Sequence, residues 1–378
     1  MSKEDFTESQ KEVLNCLPDT RANISDKLGI SIRAVRGRMT GIEEKGGALQ
    51  RDRDDVWYWD GGENIHRITS RNKGTVTKKA NEHLSKVEKM LKNVLKRTEP
   101  AISPPKTEVS HEDVVIHRSD DHIGQVRYND SGEEVYNTEI AIDRIREITQ
   151  KTISLIDREL AANREFDNCH LLLGGDTVTN ENIYDHQPFN IDETLDRQIE
   201  IGVEVYFEQI ALLSERFDTV QVVCQAGNHG EIRASGQSKH ANADDIVYGM
   251  LDQLVRVSGM DNIHFVRNDS TKYTNFEMRG FNGHLRHGQN ALNHIGTASG
   301  QNRWRGWALR HNYDIAYRGH YHEFKIEHVH NRPVLMSGSI CPPGDFEESL
   351  SLWGEPAATI HGVSDERPMT WLYPIHFE

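Results

Sequence analysis

Cysteine is scarce in this chain and scattered where it occurs. The four in 378 residues (Cys16, Cys169, Cys224, Cys341) form no C-x-x-C pair, which excludes a disulfide framework, a zinc ribbon and a thioredoxin-like site. No apolar run approaches the length of a membrane span. Met1 to Thr7 carries charge with no apolar core behind it, so the sequence shows no insertion or secretion signal and reads as cytoplasmic, with no membrane partner. Lysine is nearly missing from one part: residues 111–378 hold 4 Lys beside 19 Arg. That Lys-poor, acid-rich composition is one that a high-salt cytoplasm favours.

What is present is enough for two or three folded units. Hydrophobic residues are 36%, charged residues 27% and the mean hydropathy is -0.68, a globular balance without the apolar depletion of a disordered chain. Charge divides the chain. Residues 1–110 carry 21 cations against 17 anions, net +4, whereas residues 111–378 carry 23 against 42, net -19. The expected organisation is a first domain over 1–60, a basic helical linker over 61–112, and a large α/β domain over 113–378.

The first sixty residues read as three short helices and a hairpin. Thr7 to Cys16 is helical until Pro18, and Thr20 to Leu28 is a second helix stopped by Gly29. Ser31 caps a third, with Ile32, Val35, Met39 and Ile42 on one face and Arg33, Gly37 and Thr40 on the other. Ala48 to Arg51 and Val56 to Trp59 complete a hairpin. The order resembles a winged helix-turn-helix, which implies a third helix in the major groove, with Arg33, Arg36, Arg38 and Thr40 as nucleic-acid contacts. Residues 1–60 nonetheless carry 10 cations against 12 anions, which is poor for phosphate binding, and leaves a protein-contact module as the alternative. Lys78 to Arg97 has apolar residues at helical spacing (Leu84, Val87, Leu91, Val94, Leu95) and is expected as an amphipathic helix packed on a neighbour. Pro100, Pro104 and Pro105 mark the linker.

From Asp113 strands alternate with helices. Strands are expected at 113–117, 168–173, 219–225, 262–266, 273–278, 282–285 and 314–318, with helices at 138–162, 194–217, 244–257 and 291–311. Polar sets follow five of the strands: Asp120-Asp121-His122, Gly175-Asp176, Gly227-Asn228-His229, His287-Gly288 and Gly319-His320-Tyr321-His322. One such set is an ordinary turn. Five in order, each past an apolar run, point to a site at the strand ends.

This order, D-x-H, G-D, G-N-H, H-G, G-H-x-H, resembles the calcineurin-like metallophosphoesterase superfamily over about residues 113–340, and its phage and archaeal branch related to double-strand-break repair nucleases. The resemblance implies a double β-sheet sandwich flanked by helices. It implies two divalent ions, Mn first and Fe or Zn as alternatives, because carboxylate, imidazole and amide oxygen without thiolate suit those metals. It places Asp120, His122 and His322 on one ion, Asn228, His287 and His320 on the other, Asp176 between them, and His229 as the catalytic acid-base residue. Asp121 would stand behind the ligands, and Glu181 or Glu231 would orient His229. Arg233 and Lys239 could meet a substrate phosphate or form a charged loop. Trp304 and Trp307 are expected to pack inward rather than clamp a strand. His111, His117, His186 and His330 match no motif. The expected function is phosphodiester hydrolysis, in DNA first, with DNA and a second copy of the chain as partners. The alternatives are a phosphatase or small-nucleotide phosphodiesterase, and a non-catalytic assembly protein.

Overall fold

The computed structural model describes residues 3–47, 49–59, 82–93, 109–184, 187–233, 238, 241–267 and 270–377. His186, Lys239, most of the linker and its prolines lie outside the described residues. Two compact units are present, residues 1–105 and 106–378.

The first unit contains α1 (Glu8–Cys16), β1 (Asp19–Thr20), α2 (Arg21–Leu28), α3 (Ile32–Glu44), β2 (Leu49–Arg51) and β3 (Val56–Trp59). The strands pair antiparallel in the order β1-β3-β2. Sequence explains the helix ends. Thr20 and Ser31 accept hydrogen bonds from the N–H groups of Asn23 and Ala34, and Gly29 closes α2 in the left-handed region at φ 64°. Val13, Ile24, Val35, Met39 and Ile42 are buried together with Trp59. Ile32 departs from its expected place: it is 54% exposed, because it is the first residue of α3 and precedes the turn that meets the core. Residues 82–93 are helical (α4), and every one of them is exposed. Leu84 (64%) and Leu91 (58%) therefore do not bury the apolar face that the spacing suggested.

The second unit begins with β4 (Ser110–Arg118), longer at both ends than expected. It continues through β5 (Arg127–Tyr128), β6 (Glu134–Tyr136), α5 (Thr138–Ser154), β7 (Arg164–Leu173), α6 (Leu195–Arg216), β8 (Thr219–Cys224), α7 (Ala243–Ser258) and β9 (Ile263–Arg267). Next come β10 (Thr274–Met278), β11 (Phe281–Leu285), α8 (Ala298–His311), β12 (Ile315–Arg318), β13 (Lys325–Val329), β14 (Arg332–Met336), α9 (Asp345–Ser349), β15 (Ala357–Val363) and β16 (Leu372–His376). Helix α8 starts seven residues later than 291. Thr297 is its cap, accepting from Gly300 N, and the residues before it form turns. α5 ends at Ser154 and passes into a wider turn, Leu155–Glu159, rather than running to Ala162.

The strands form a six-stranded sheet, β16-β15-β4-β7-β8-β9, and a five-stranded sheet, β10-β11-β12-β14-β13. Alternation of side chains sorts them into layers. Val114 and Ile116 of β4, with Leu171 and Leu173 of β7, join the core under α5, α6 and α7, while Val115 and Leu172 face the other sheet. From that sheet Leu285, Ile315, Tyr317 and Leu335 meet them, and Ala316 and Val334 turn outward beneath α8. The result is four layers, helix, sheet, sheet, helix. Leu172 is fully buried between the sheets, and Leu172→Ala would cost about 2–5 kcal/mol.

β4, β7, β8 and β9 are parallel, as are β11, β12 and β14. The carboxyl ends of β4, β7, β8, β11 and β12 are therefore the places from which the five polar sets emerge.

Candidate metal centre

Each polar set sits in a loop that hydrogen bonds to its neighbour. Asp120 N donates to Gly175 O (2.9 Å), His122 N to Asp176 O (3.0 Å) and Gly319 N to His287 O (2.7 Å). The backbone is strained here. Asp120, His122, Asp176, His320 and His322 all have positive φ, between 49° and 72°, at a cost on the order of 1–3 kcal/mol each. The glycines allow close approach: a Cβ on Gly227 would lie 2.1 Å from Asp176 Oδ1, and one on Gly319 would lie 2.3 Å from Asp120 Oδ2. Substitution at either would push a carboxylate out of place.

Three donor groupings result: Asp120, His122 and His322; Asp176, His287 and His320; and His122, Asp176 and His229, each with ligand atoms within 4.8 Å of one another. Asp176 belongs to two of them. The spacing fits coordination, since ligands at about 2.1 Å in adjacent positions around one ion lie about 3 Å apart. His122 Nε2 and His322 Nε2 are 3.1 Å apart, and His322 Nε2 and Asp120 Oδ1 are 3.3 Å apart. His287 Nε2 lies 2.9 Å from Asp176 Oδ2 and 3.0 Å from Asn228 Oδ1. Asn228 Nδ2 donates to Tyr184 Oη (2.9 Å), which turns its oxygen toward His287.

Each carboxylate has one oxygen held and one open. Asp120 Oδ2 accepts from His320 N (2.9 Å) and Asp176 Oδ1 from His229 N (2.7 Å). Asp120 Oδ1 and Asp176 Oδ2 are buried with no backbone donor, and face the imidazoles of His322 (3.3 Å) and His287 (2.9 Å). Buried carboxylate oxygens that face only imidazole nitrogens need a proton or a metal cation between them, so the residues present fit divalent ions.

The local field agrees. Burial would raise Asp120 and Asp176, but the imidazoles beside them hold both carboxyls below the usual range. Burial would lower His287 and His322, yet Asp176 and Asp120 hold His287 up at about 9, and Asp120 with Glu347 holds His322 up at about 10. A field that retains two protons on imidazoles is one that divalent cations can exploit. His122 and His320 are pushed down by burial, and stay neutral with nitrogens ready to donate electron pairs.

His229 is oriented by a backbone carbonyl. Its Nδ1 lies 3.1 Å from Thr179 O, and because a carbonyl only accepts, Nδ1 carries the proton and Nε2 is bare in the neutral ring. Neither expected acid performs this task. Glu181 accepts from Leu195 N at the start of α6, and Glu231 pairs with Arg233 (3.0 Å). Burial lowers His229, which keeps the ring neutral. Arg233 also donates to Ile183 O and lies 5.4 Å from the Tyr184 ring, so it braces the wall beside Asn228.

Three positioning residues escaped sequence reading. Asp244 accepts the N–H groups of Asp176 (3.0 Å), Thr177 (3.0 Å) and Gly227 (2.8 Å), tying two motif loops to the start of α7. Glu347 contacts His322 Nδ1 and also accepts from Gly344 N, fixing which nitrogen of His322 faces Asp120. Asn180 donates to His229 O (2.8 Å). Asp121, by contrast, lies outside the donor groupings: it pairs with buried Arg118 and accepts from Tyr206.

The remaining singled-out residues divide. On α3, Arg33, Arg36 and Thr40 are exposed, whereas Arg38 is tied to Ser9 O and Glu12 (2.8 Å) in α1. Trp304 is fully buried, while Trp307 is half-buried and faces Arg286. His117 is fully buried between the sheets, with burial holding it neutral at about 3.

No protein-family model matches the chain, and no curated protein does. Among solved structures it is similar to a novel archaeal phosphodiesterase (14% identity, TM-score 0.35, 70% of this chain and 99% of that one). It is also similar to Vps29 from Entamoeba histolytica complexed with zinc (12%, 0.31, 70% and 99%) and to a protein of Pyrococcus horikoshii (10%, 0.36, 71% and 88%). These likenesses are remote; the chemistry below rests on the donor atoms themselves. Among the described residues no helix is long and apolar enough to cross a membrane.

Proposed function

We propose that the chain is a dinuclear-metal phosphoesterase of the calcineurin-like kind that hydrolyses phosphodiester bonds, with DNA as substrate and Mn as the metal. One observation carries the reading: five strand-end loops converge two open carboxylate oxygens, four imidazoles and one amide oxygen on a buried point. Divalent ions there would supply Lewis-acid activation of the phosphate and of the attacking water. Asp120, His122 and His322 would hold one, Asn228, His287 and His320 the other, with Asp176 shared. His229 stands beside His122 and Asp176 with Nε2 bare, so it accepts a proton at that atom and returns it to the leaving oxygen.

The first unit supports nucleic acid as substrate. Its element order is that of a winged helix-turn-helix, and exposed Arg33, Arg36 and Thr40 line α3. The engagement of Arg38 by Glu12 and the acid excess in residues 1–60 favour the second reading, a small-substrate phosphodiesterase whose first unit contacts protein. Purified full-length protein with Mn, assayed on single- and double-stranded DNA, RNA, a small chromogenic diester and a chromogenic monoester, tests both. Mn-dependent cleavage of DNA is the expected result. Cleavage of the small diester alone selects the second reading, and hydrolysis of monoesters alone refutes both.

A further inference from the structure

The outer face of the five-stranded sheet holds a second cluster, beside α8. Along β11, Leu285 enters the core between the sheets, and the neighbouring His284 and Arg286 point the other way. Arg286 is only 5% exposed and directly precedes His287. Its Nε donates to His284 Nε2 (2.8 Å), which makes His284 a neutral ring with its proton on Nδ1, given to Asn275 Oδ1 (2.7 Å). The guanidinium lies 3.7 Å from the centre of the Trp307 ring. Among the described residues no carboxylate pairs with Arg286, and its terminal nitrogens have no acceptor.

A buried cation with no counter-ion among the described residues is expensive. Arg286 opens into a cavity of about 400 Å³, within the size range of small-molecule sites. Arg310 and Lys272 also line it, both exposed, and among the described residues no Asp or Glu does. In a unit of net charge -19, three cations around one cavity run against the composition. The rest of the wall is largely aromatic, from Tyr273, Trp307 and His311, with His311 and Tyr273 rings 4.3 Å apart.

We propose that this cavity binds one nucleotide unit, its phosphate on Arg286, Arg310 and Lys272 and its base against the aromatic wall. Guanidinium groups match phosphate oxygens in pairs, and every base offers a face for stacking. The proposal deepens the phosphodiesterase reading and rests on it for the source of the nucleotide, a unit of the substrate flanking the one cleaved. The residue that would hold the flanking phosphate and the metal-facing His287 are consecutive in the chain.

The test titrates full-length protein with 2′-deoxyadenosine 5′-monophosphate, inorganic phosphate and deoxyadenosine by calorimetry, with EDTA and again with Mn. The mononucleotide should bind in EDTA at least tenfold more tightly than either fragment. Lys272→Gln with Arg310→Gln, both at exposed positions, should weaken it at least fivefold without moving Tm. Absence of binding, equal binding of phosphate or deoxyadenosine, binding only with Mn, or an unaffected double variant would overturn the proposal. Hydrolysis of the small diester by the wild-type protein, run in parallel, reads the phosphodiesterase proposal separately.

Discussion

Two buried clusters of carboxylate and imidazole lie toward opposite ends of β4, and only one of them is saturated. Near its amino end, Asp113 accepts from His170 (3.0 Å), Asn168 (3.1 Å) and Arg279 (2.7 Å), and His170 has its second nitrogen on Gln221 (3.0 Å). Neighbouring Glu112 accepts from Arg164, Ser110, Thr370 and Trp371. Past the carboxyl end, Asp120 and Asp176 each keep a buried oxygen that no backbone group meets and that only imidazoles face, and five residues there have positive φ. Residue types barely differ between the two. What differs is completeness: the first network uses its donors and acceptors on itself, and so stabilises the fold. The second holds them open for something else.

Four variants or conditions can break this contrast. The largest effect belongs to His229→Ala, which should lower kcat about 10²- to 10⁴-fold while leaving metal content intact, since its role is proton transfer. Steady-state kinetics with metal analysis checks it, and lost metal would show His229 to be a ligand. Asp113→Ala should do the reverse. It removes the buried acceptor shared by His170, Asn168 and Arg279, while Arg279 keeps Asp365 (2.8 Å), costing about 1–3 kcal/mol, seen as a lower urea midpoint, with turnover per folded molecule unchanged. Glu347→Gln removes the charge behind His322 and should weaken metal affinity about 10- to 100-fold, measured by competition with a chelating dye.

The fourth contrast is pH. Without ions, His287 at about 9 and His322 at about 10 are protonated at neutrality, so metal uptake must expel those protons. Affinity should therefore rise with pH through neutrality and level off above about 9–10, and heats of binding at pH 7 should vary with the ionisation enthalpy of the buffer. The Asp113 carboxyl responds on the acid side. Burial opposes ionisation there, but His170 and Arg279 hold the carboxyl below its usual value. Its stabilisation is thus present above about 3.8 and is lost as pH falls through the lower folded value.

The strand-end sets were legible because each joins an apolar run to a motif in a fixed order, whereas the two packed sheets were expected only from the resemblance those motifs carry, since β4, β7 and β12 hold continuous apolar runs. The cap at Ser31 was legible for the same local reason, and the helices expected from Thr20 and Thr194 begin one residue later. What could not be read involves partners distant in sequence or belonging to the backbone. Thr179 offers His229 a carbonyl, which any residue type could supply. Asp244 looks like an ordinary acid in the first turn of a helix, and its three N–H donors come from residues 17 to 68 positions away. Glu347 lies 25 residues past His322, in a helix too short for a periodic signal. Arg286 was hidden beside the motif histidine, although Arg-His after a strand could have drawn attention to a cation in an acid-rich unit. Ile32 and Leu84 show the converse, that apolar spacing on a short helix does not guarantee burial.

Metal stoichiometry of the wild-type chain and of Asp176→Ala, loaded with Mn, desalted and assayed on a small chromogenic diester, tests the central claim most directly. Two ions per wild-type chain with turnover, and fewer than two in the variant with none, is the predicted result. Two retained ions in Asp176→Ala, or wild-type turnover that persists undiminished in excess chelator, would contradict a metal centre built around that carboxylate.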